Sequence, residues 1–435
     1  MPFKSKGLTL WFMISFLSWG YFAAVQANSH SEKTTLAEMN MKQDNTAFGL
    51  IDTVVKGNTA FALELYSQLT QDAKGNLFFS PYSLSTALAM TYVGARHKTE
   101  AQMAQVLHFL NQSELHPAFS HLQAQIKAAE SSNDNIELRL ANALWHQKRL
   151  DLQADFKNAL TNYYQATPQK ADFERAADAV RKSINQWVDE KTNHKITNLI
   201  KKGVIHHLTR LVLVNAIYFK GNWLFPFDPL KTTQEPFWLT DSGSVEVPMM
   251  NQKNYFDYLE TEDVQILGLP YAVQNSDRER SYDDKSFSMF VFLPQERNGL
   301  AELEKTLSPT QVTRWMGRLN WQKVKVSLPK FKLNTQFELS KALTKMGMPD
   351  AFNPDHADFS GIDGTKQLSL TSVIHQAFVE VNEKGTEAAA ATAAIVGTRS
   401  LPPPTPEFRA DHPFIFIIRH NSSGSILFMG RVVKP

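Results

Sequence analysis

Cysteine is absent from the 435 residues, which excludes disulfide bracing, thiolate metal ligation and a cysteine nucleophile together. Such a chain must be held by its apolar core, and a hydrophobic content of 43% supplies the material for one. Charge of one sign is also scarce. The formal net charge is +2, so no bulk attraction to nucleic acid or to an acidic membrane is expected. The 13 histidines invite a search for metal or acid–base chemistry. None stands in a His-Glu-x-x-His pattern, and His206 and His207, being adjacent, point apart on any regular element. A Gly-rich phosphate loop, a Gly-x-Ser-x-Gly elbow and internal repeats are missing as well. An enzyme reading therefore has little to stand on, and neither cofactor nor metal is expected.

What is present begins with residues 1–27, which read as a secretory signal. Lys4 and Lys6 precede an apolar run from Leu8 to Val25, and Val25-Gln26-Ala27 supplies a small-residue cleavage pattern. An uncleaved anchor is the competing reading of that run. The expected location is secreted, extracellular or periplasmic. Residues 28–57 are polar without a sustained period and read as a flexible leader. Asn58 then caps an expected amphipathic helix carrying Phe61, Leu65 and Leu69 on one face and ending near Gly75.

Leu77-Phe78-Phe79 is a short apolar strand running through Ser80-Pro81 into a second helix with Leu84, Leu88 and Tyr92 on one face. Ile136 to Trp145 alternates as a strand; Phe156 to Tyr164 and Ala176 to Lys191 have helical spacing. Leu211 to Phe219 is an apolar strand closed by Gly221 and Trp223. Strands and hairpins are expected over 237–258 and 265–293, with a highly charged connector at 273–286 that reads as a protruding loop. Pro329 interrupts the alternation of Val324 to Leu333 and argues for a bend or an edge. Phe414 to Ile418 and Ile426 to Met429 form a hairpin through Asn421-Ser422-Ser423-Gly424. Lys201, Lys202, His206, His207 and Arg210 make a modest basic cluster; a solvated face explains it better than a polyanion site.

The least ordinary stretch is Val379 to Pro413. It opens as a strand, with Val379 and Val381 alternating against Glu380 and Asn382, and breaks at Gly385. Ala388 to Ala391 and Thr392 follow in a run of small residues, then Arg399-Ser400 and a Pro-studded segment. On propensity alone the alanines read as a helix capped by Thr386. That leaves unexplained why a strand runs straight into them.

Glu383-Lys384-Gly385-Thr386-Glu387-Ala388-Ala389-Ala390-Ala391-Thr392 resembles the hinge of the serpin reactive-centre loop, and Phe408 to Phe416 is similar to the signature that follows it. The resemblance covers residues 58–435. It implies an α+β serpin fold with three β-sheets, eight or nine helices and an exposed loop over about 384–407, acting as a monomer. Family spacing places the reactive bond at Arg399-Ser400, suited to proteases with a carboxylate in the specificity pocket. The implied partner is a trypsin-like serine protease in a covalent 1:1 complex, trapped as the cleaved loop enters the main sheet. A non-inhibitory carrier, chaperone or storage serpin is the alternative. On alternation Thr386, Ala388, Ala390, Thr392 and Ala394 would enter one face together, all of them small, with Glu387 on the other. Thr386 is expected to be exposed until then. Ser80, Ser83, Asn215 and His375 match the polar shutter under the sheet. For Ser80 and Ser83 helix capping, and for His375 an ordinary buried role, stand beside that match. Trp223 matches the breach where insertion starts, and Lys330 with Glu383 an ion pair near the hinge.

Overall fold

The computed structural model describes residues 49–239, 243–272, 285–386 and 405–435. Two compact units divide the chain at Asp52 and Thr53. In the first, the described residues 49–52 are helical. All that follows concerns the second. The expected signal, most of the leader, nearly all of the 273–286 connector, Glu387 to Thr392 and Arg399-Ser400 lie outside the described residues.

The helices are α1 (53–72), α2 (Pro81–Tyr92), α3 (His97–Leu107), α4 (Gln112–Ser131), α5 (Ala154–Tyr164), α6 (Phe173–Lys191), α7 (Leu300–Thr306), α8 (Pro309–Met316), α9 (Ser340–Met346) and α10 (Ser360–Asp363). The strands are β1 (Leu77–Phe79), β2 (Ile136–Gln147), β3 (Gln169–Ala171), β4 (Leu211–Asn222), β5 (Thr233–Trp238), β6 (Ser244–Glu260), β7 (Val264–Pro270) and β8 (Phe287–Pro294). They continue as β9 (Asn320–Pro329), β10 (Phe331–Glu338), β11 (Val373–Val381), β12 (Gly385–Thr386), β13 (Glu407–Arg409), β14 (Phe414–His420) and β15 (Ile426–Val432).

Hydrogen bonding joins these strands into two sheets among the described residues. One runs β10-β11-β4-β2-β3, with β12 added on β4; the other runs β1-β15-β14-β8-β7-β6-β9-β13, with β5 on β6. Two of the three expected sheets are thus continuous, because the long β6 ladders with β5 over Ser244–Met249, with β9 over Met249–Tyr258 and with β7 over Asp257–Glu260. Pro329 stands where the chain leaves β9 in one sheet for β10 in the other, so the break in alternation is a change of sheet.

Two expectations at the start of this unit are corrected. Residues 53–57 are helical and not leader, and Asn58 lies inside α1. Its amide donates to the Ile426 carbonyl and accepts from the Ser85 hydroxyl, so it joins α1 to the core instead of capping a helix.

The six-stranded sheet is covered on both faces. Phe173, Val180, Ile184 and Val188 of α6 cluster with Val212, Val214, Ala216 and Tyr218 of β4. The other face of β4 meets α2, whose twelve residues are all buried. A helix buried on every side carries no amphipathic stripe, and α2 reads accordingly as uncharged all round, its polar side chains limited to Ser, Thr and Tyr. Its start is fixed locally: Ser80 caps it by accepting from the Ser83 N–H, and Pro81 occupies the first turn.

Candidate functional site

The site grows from one irregularity in the six-stranded sheet. Strands β11 and β4 run parallel and pair from Val373↔Leu213 to Phe378↔Tyr218. Beyond that rung β11 keeps its ladder with β10 as far as Val381, while β4 keeps its ladder with β2 as far as Gly221. Between β11 and β4 the sheet is therefore unlaced over Val379 to Val381, and β12 stands at the head of the opening.

The chain reaches that position by a tight reversal. Asn382 and Gly385 exchange backbone hydrogen bonds of 2.9 and 3.2 Å around Glu383-Lys384. Gly385 has φ +149°, and a Cβ there would lie 2.1 Å from the Gly221 carbonyl oxygen, so only glycine passes so close to β4. β12 then pairs antiparallel with β4, Gly385 opposite Asn222 and Thr386 opposite Gly221. Thr386 is fully buried, which corrects the expectation of an exposed hinge residue. Its hydroxyl shares a 3.1 Å hydrogen bond with the Tyr271 phenol, and the Tyr271 ring stacks on Trp223 at 4.7 Å. The ring occupies the space a side chain on Gly221 would need, since a Cβ would sit 2.6 Å from it.

Donors from Trp223 and Phe227 hold the reversal. The Trp223 indole N–H donates to the Asn382 carbonyl at 3.0 Å, the Trp223 N–H to Lys384 at 2.9 Å and the Phe227 N–H to Glu383 at 2.7 Å. The Glu383 carboxylate accepts from Lys330 at 3.0 Å and from the Thr232 hydroxyl at 2.9 Å. Burial opposes its ionisation, but its own backbone N–H, Lys330 and Thr232 outweigh that and hold the carboxyl below the usual range. Glu383, Gly385, Thr386, Trp223 and Lys330 are thus one cluster.

A second cluster lies lower in the same sheet. His375 on β11 faces Asn215 on β4 in register, and their side chains bond directly. Ser80 donates its backbone N–H to His375 Nε2 at 3.0 Å. That nitrogen is therefore the acceptor, Nδ1 carries the proton, and Asn215 Oδ1 receives it. The Asn215 amide donates to the Ser83 hydroxyl oxygen at 2.6 Å and to Asn142 Oδ1 at 2.5 Å, while the Ser80 hydroxyl donates to the Leu427 carbonyl at 2.5 Å. Ser80, Ser83, Asn215 and His375 are completely buried. Burial depresses the imidazole to a pKa of about 3, so it is neutral at physiological pH with both nitrogens satisfied. Ser80 both caps α2 and ties it to this network.

At the far end of the 387–404 segment, β13 pairs parallel with β9 from Glu407↔Lys325 to Arg409↔Ser327. Arg409 is anchored by Glu235 at 2.5 Å and Asp411 at 3.2 Å, and His412 bridges Asp411 and the Pro294 carbonyl at 2.8 Å each. The basic cluster after α6 is a solvated turn in which Lys201, Lys202, His206 and His207 are exposed, while Arg210 lies 3.6 Å from Glu174. Among the described residues no group of three His, Cys, Asp or Glu could hold a metal ion, and no helix is long and apolar enough to cross a membrane.

Sequence reasoning missed Asn142 and Tyr271. Asn142 had a local signal, an amide set between Ala141 and Ala143 in an otherwise apolar alternation. Tyr271 had none, because its partners Trp223 and Thr386 are brought to it only by the sheet.

Comparison with known proteins agrees with this geometry. The family model described as Serpin (serine protease inhibitor) matches residues 56–435. The chain is 41% identical to the leukocyte elastase inhibitor of Homo sapiens over 387 residues, covering 87% of this chain and 98% of that protein. It is 38% identical to serpin B10 of Papio anubis over 410 residues, covering 88% and 100%. Among solved structures, maspin superposes with a TM-score of 0.80 at 31% identity, covering 89% of this chain and 100% of that one. These relatives overturn the expected secretion. They are of a kind that is typically intracellular without a signal peptide. The matches take in 98% and 100% of their lengths, leaving almost nothing in them to correspond to residues 1–27.

Proposed function

The chain belongs to the serpin family, described as serine protease inhibitors, and from that premise we propose that it traps Arg-specific, trypsin-like serine proteases by a single-use covalent mechanism. The protease serine attacks the Arg399 carbonyl. The amide bond to Ser400 breaks, the Ser400 amine leaves, and Arg399 stays esterified to the protease. The freed strand then continues from Thr386 into the opening between β4 and β11.

The observation that carries this reading is the buried Thr386 rung beside the unlaced stretch of β11. Insertion from there extends an existing register and need not nucleate a new one. Residues of the parity of Thr386 are Ala388, Ala390, Thr392 and Ala394, small enough to pass over the core side of the sheet. A strand from Thr386 to Arg399 spans about 46 Å, enough to drag the acylated protease from one end of the sheet to the other. Deacylation needs an intact oxyanion hole and triad in the protease, and displacement on that scale distorts both.

Support for the specificity comes from Arg399 itself, fourteen residues after Gly385. The human relative is named for leukocyte elastase, but a guanidinium at this position favours a pocket with a carboxylate. Incubation with trypsin should yield an SDS-resistant complex, and mass spectrometry should recover the fragment Ser400–Pro435. A fragment beginning after Ile395 or Val396 would transfer the reactive bond to an elastase-like site. Cleavage without any trapped complex would leave the carrier or storage alternative.

A further inference from the structure

At the end of β2 remote from Gly221, the six-stranded sheet borders a cavity that neither polar cluster uses. It has a volume of about 240 Å³ and is walled by the end of β2, the edge strand β3 and α5. Drug-sized sites run to ~300–1,000 Å³, so an occupant here has to be small. One polar group in the wall is out of place. His146 is only 2% exposed, and its Nδ1 lies 3.1 Å from the Gln147 carbonyl oxygen. A carbonyl only accepts, so Nδ1 carries the proton and Nε2 is left with a lone pair. Burial outweighs the Gln147 carbonyl and, with Lys170 alongside, holds the imidazole below its ordinary range, which keeps it in that neutral form at neutral pH. Nε2 has no hydrogen-bond partner among the described residues, whereas buried polar groups ordinarily find one.

Two cations share that wall. Lys170 stands opposite His146 in the parallel β2–β3 ladder, and Lys157 comes from α5. Neither forms an ion pair among the described residues, and Asp151, exposed in the same wall, pairs with neither. Leu150, Leu152 and Pro168 add an apolar stretch. Exposed lysines alone need no ligand, but an imidazole acceptor without a donor beside them calls for one. A plain carboxylate brings acceptors only and would leave the Nε2 lone pair unmet. An anion that also carries an O–H donor satisfies both demands. We propose that this cavity binds a small hydroxydicarboxylate: its hydroxyl donates to His146 Nε2, its carboxylates face Lys157 and Lys170, and its short carbon chain lies against Leu150, Leu152 and Pro168. The cavity shares no residue with the reactive segment or with the two polar clusters, so it stands or falls apart from the protease reading.

L-Malate and succinate are the probes, because they differ by one hydroxyl. Calorimetric titration of the full chain should show L-malate binding about three- to tenfold more tightly than succinate. Lys157→Gln and Lys170→Gln should each weaken both anions about two- to fivefold. His146→Leu should abolish the difference between the two anions and leave the affinity for succinate as it was. In the wild type, nitrogen NMR should show the Nε2 resonance of His146 moving upfield with L-malate and staying in place with succinate, a readout that does not depend on any variant folding. No binding of either anion up to about 10 mM overturns the proposal. Equal affinity for both anions, an unmoved Nε2 resonance, or binding that both lysine variants leave intact overturns it as well. Trapping of trypsin by the same preparations bears on Arg399 and not on this cavity, so the two failures are told apart.

Discussion

The two polar clusters of the six-stranded sheet solve opposite problems. Around His375 everything is neutral and mutually satisfied: each nitrogen of the imidazole has one partner of the complementary kind. Around Glu383 the central contact is an ion pair whose lysine remains 38% exposed. The first cluster closes β11 onto β4 where the strands pair, and the second props them apart where they do not. A buried neutral network is all-or-none, because one lost partner orphans another buried group. A half-solvated ion pair can loosen gradually at little cost. The sheet is thus locked below its opening and adjustable at its mouth.

Thr386→Arg should break this division most severely. The position is fully buried, so an unpaired guanidinium there would cost several kcal/mol. The expected result is expulsion of the Gly385–Thr386 rung from β4, with the rest of the fold retained. Slowing insertion by about 3 kcal/mol is more than a hundredfold in rate. Cleavage at Arg399 should persist while stoichiometry of inhibition climbs far above one. Efficient trapping of trypsin by this variant would disconnect the rung from the activity.

Acid should separate the clusters next. The folded pKa of His375, about 3, lies below its unfolded value near 6.5. The unfolded chain therefore takes up the proton first, and the stability contributed by the neutral imidazole is present above about pH 6.5 and lost as pH falls toward 3. From pH 7 to pH 5 the loss is about 2 kcal/mol. His116 and His420, each depressed by burial to about 4, add in the same direction. Urea titrations of wild type and His375→Gln at the two pH values should differ in slope by that one proton; parallel profiles would mean that His375 is not the buried neutral base described. The smallest effect should come from Lys330→Ala, about 1 kcal/mol at low salt and half of that or less in 1 M salt. An undiminished effect at high salt would place this pair in the same class as the buried neutral network.

Elements whose evidence is local were legible in the sequence. The alternation of Ile136 to Trp145, the apolar run from Leu211, the Phe414–Met429 hairpin and the break at Pro329 each correspond to a strand or a boundary. Residues whose role depends on distant strands were not. Asn58 carries the right chemistry for a cap, yet Ile426 and Ser85, which engage it, are set by tertiary packing. Thr386 looked like a loop residue because nothing in its neighbourhood indicates that β4, about 165 residues earlier, offers it a register at Gly221. The pairing of Glu383 with Lys330 came only from the family resemblance, and its second side-chain partner, Thr232, was not readable at all.

The pairing of β1 with β15 has a consequence for how the molecule is made. Leu77 to Phe79 ladder with Met429 to Arg431, and the Ser80 hydroxyl bonds the Leu427 carbonyl. On the ribosome, the earliest strand of the domain waits for the last one to emerge, and α2 cannot be fastened from that side until translation has ended. The segment from Thr386 to Arg399 is synthesised before β14 and β15. While the C-terminal hairpin is missing, that segment can compete for any free strand edge. On the inhibitory reading proposed above, trapping then depends on the terminal hairpin closing before the residues after Thr386 can pair with a free strand edge.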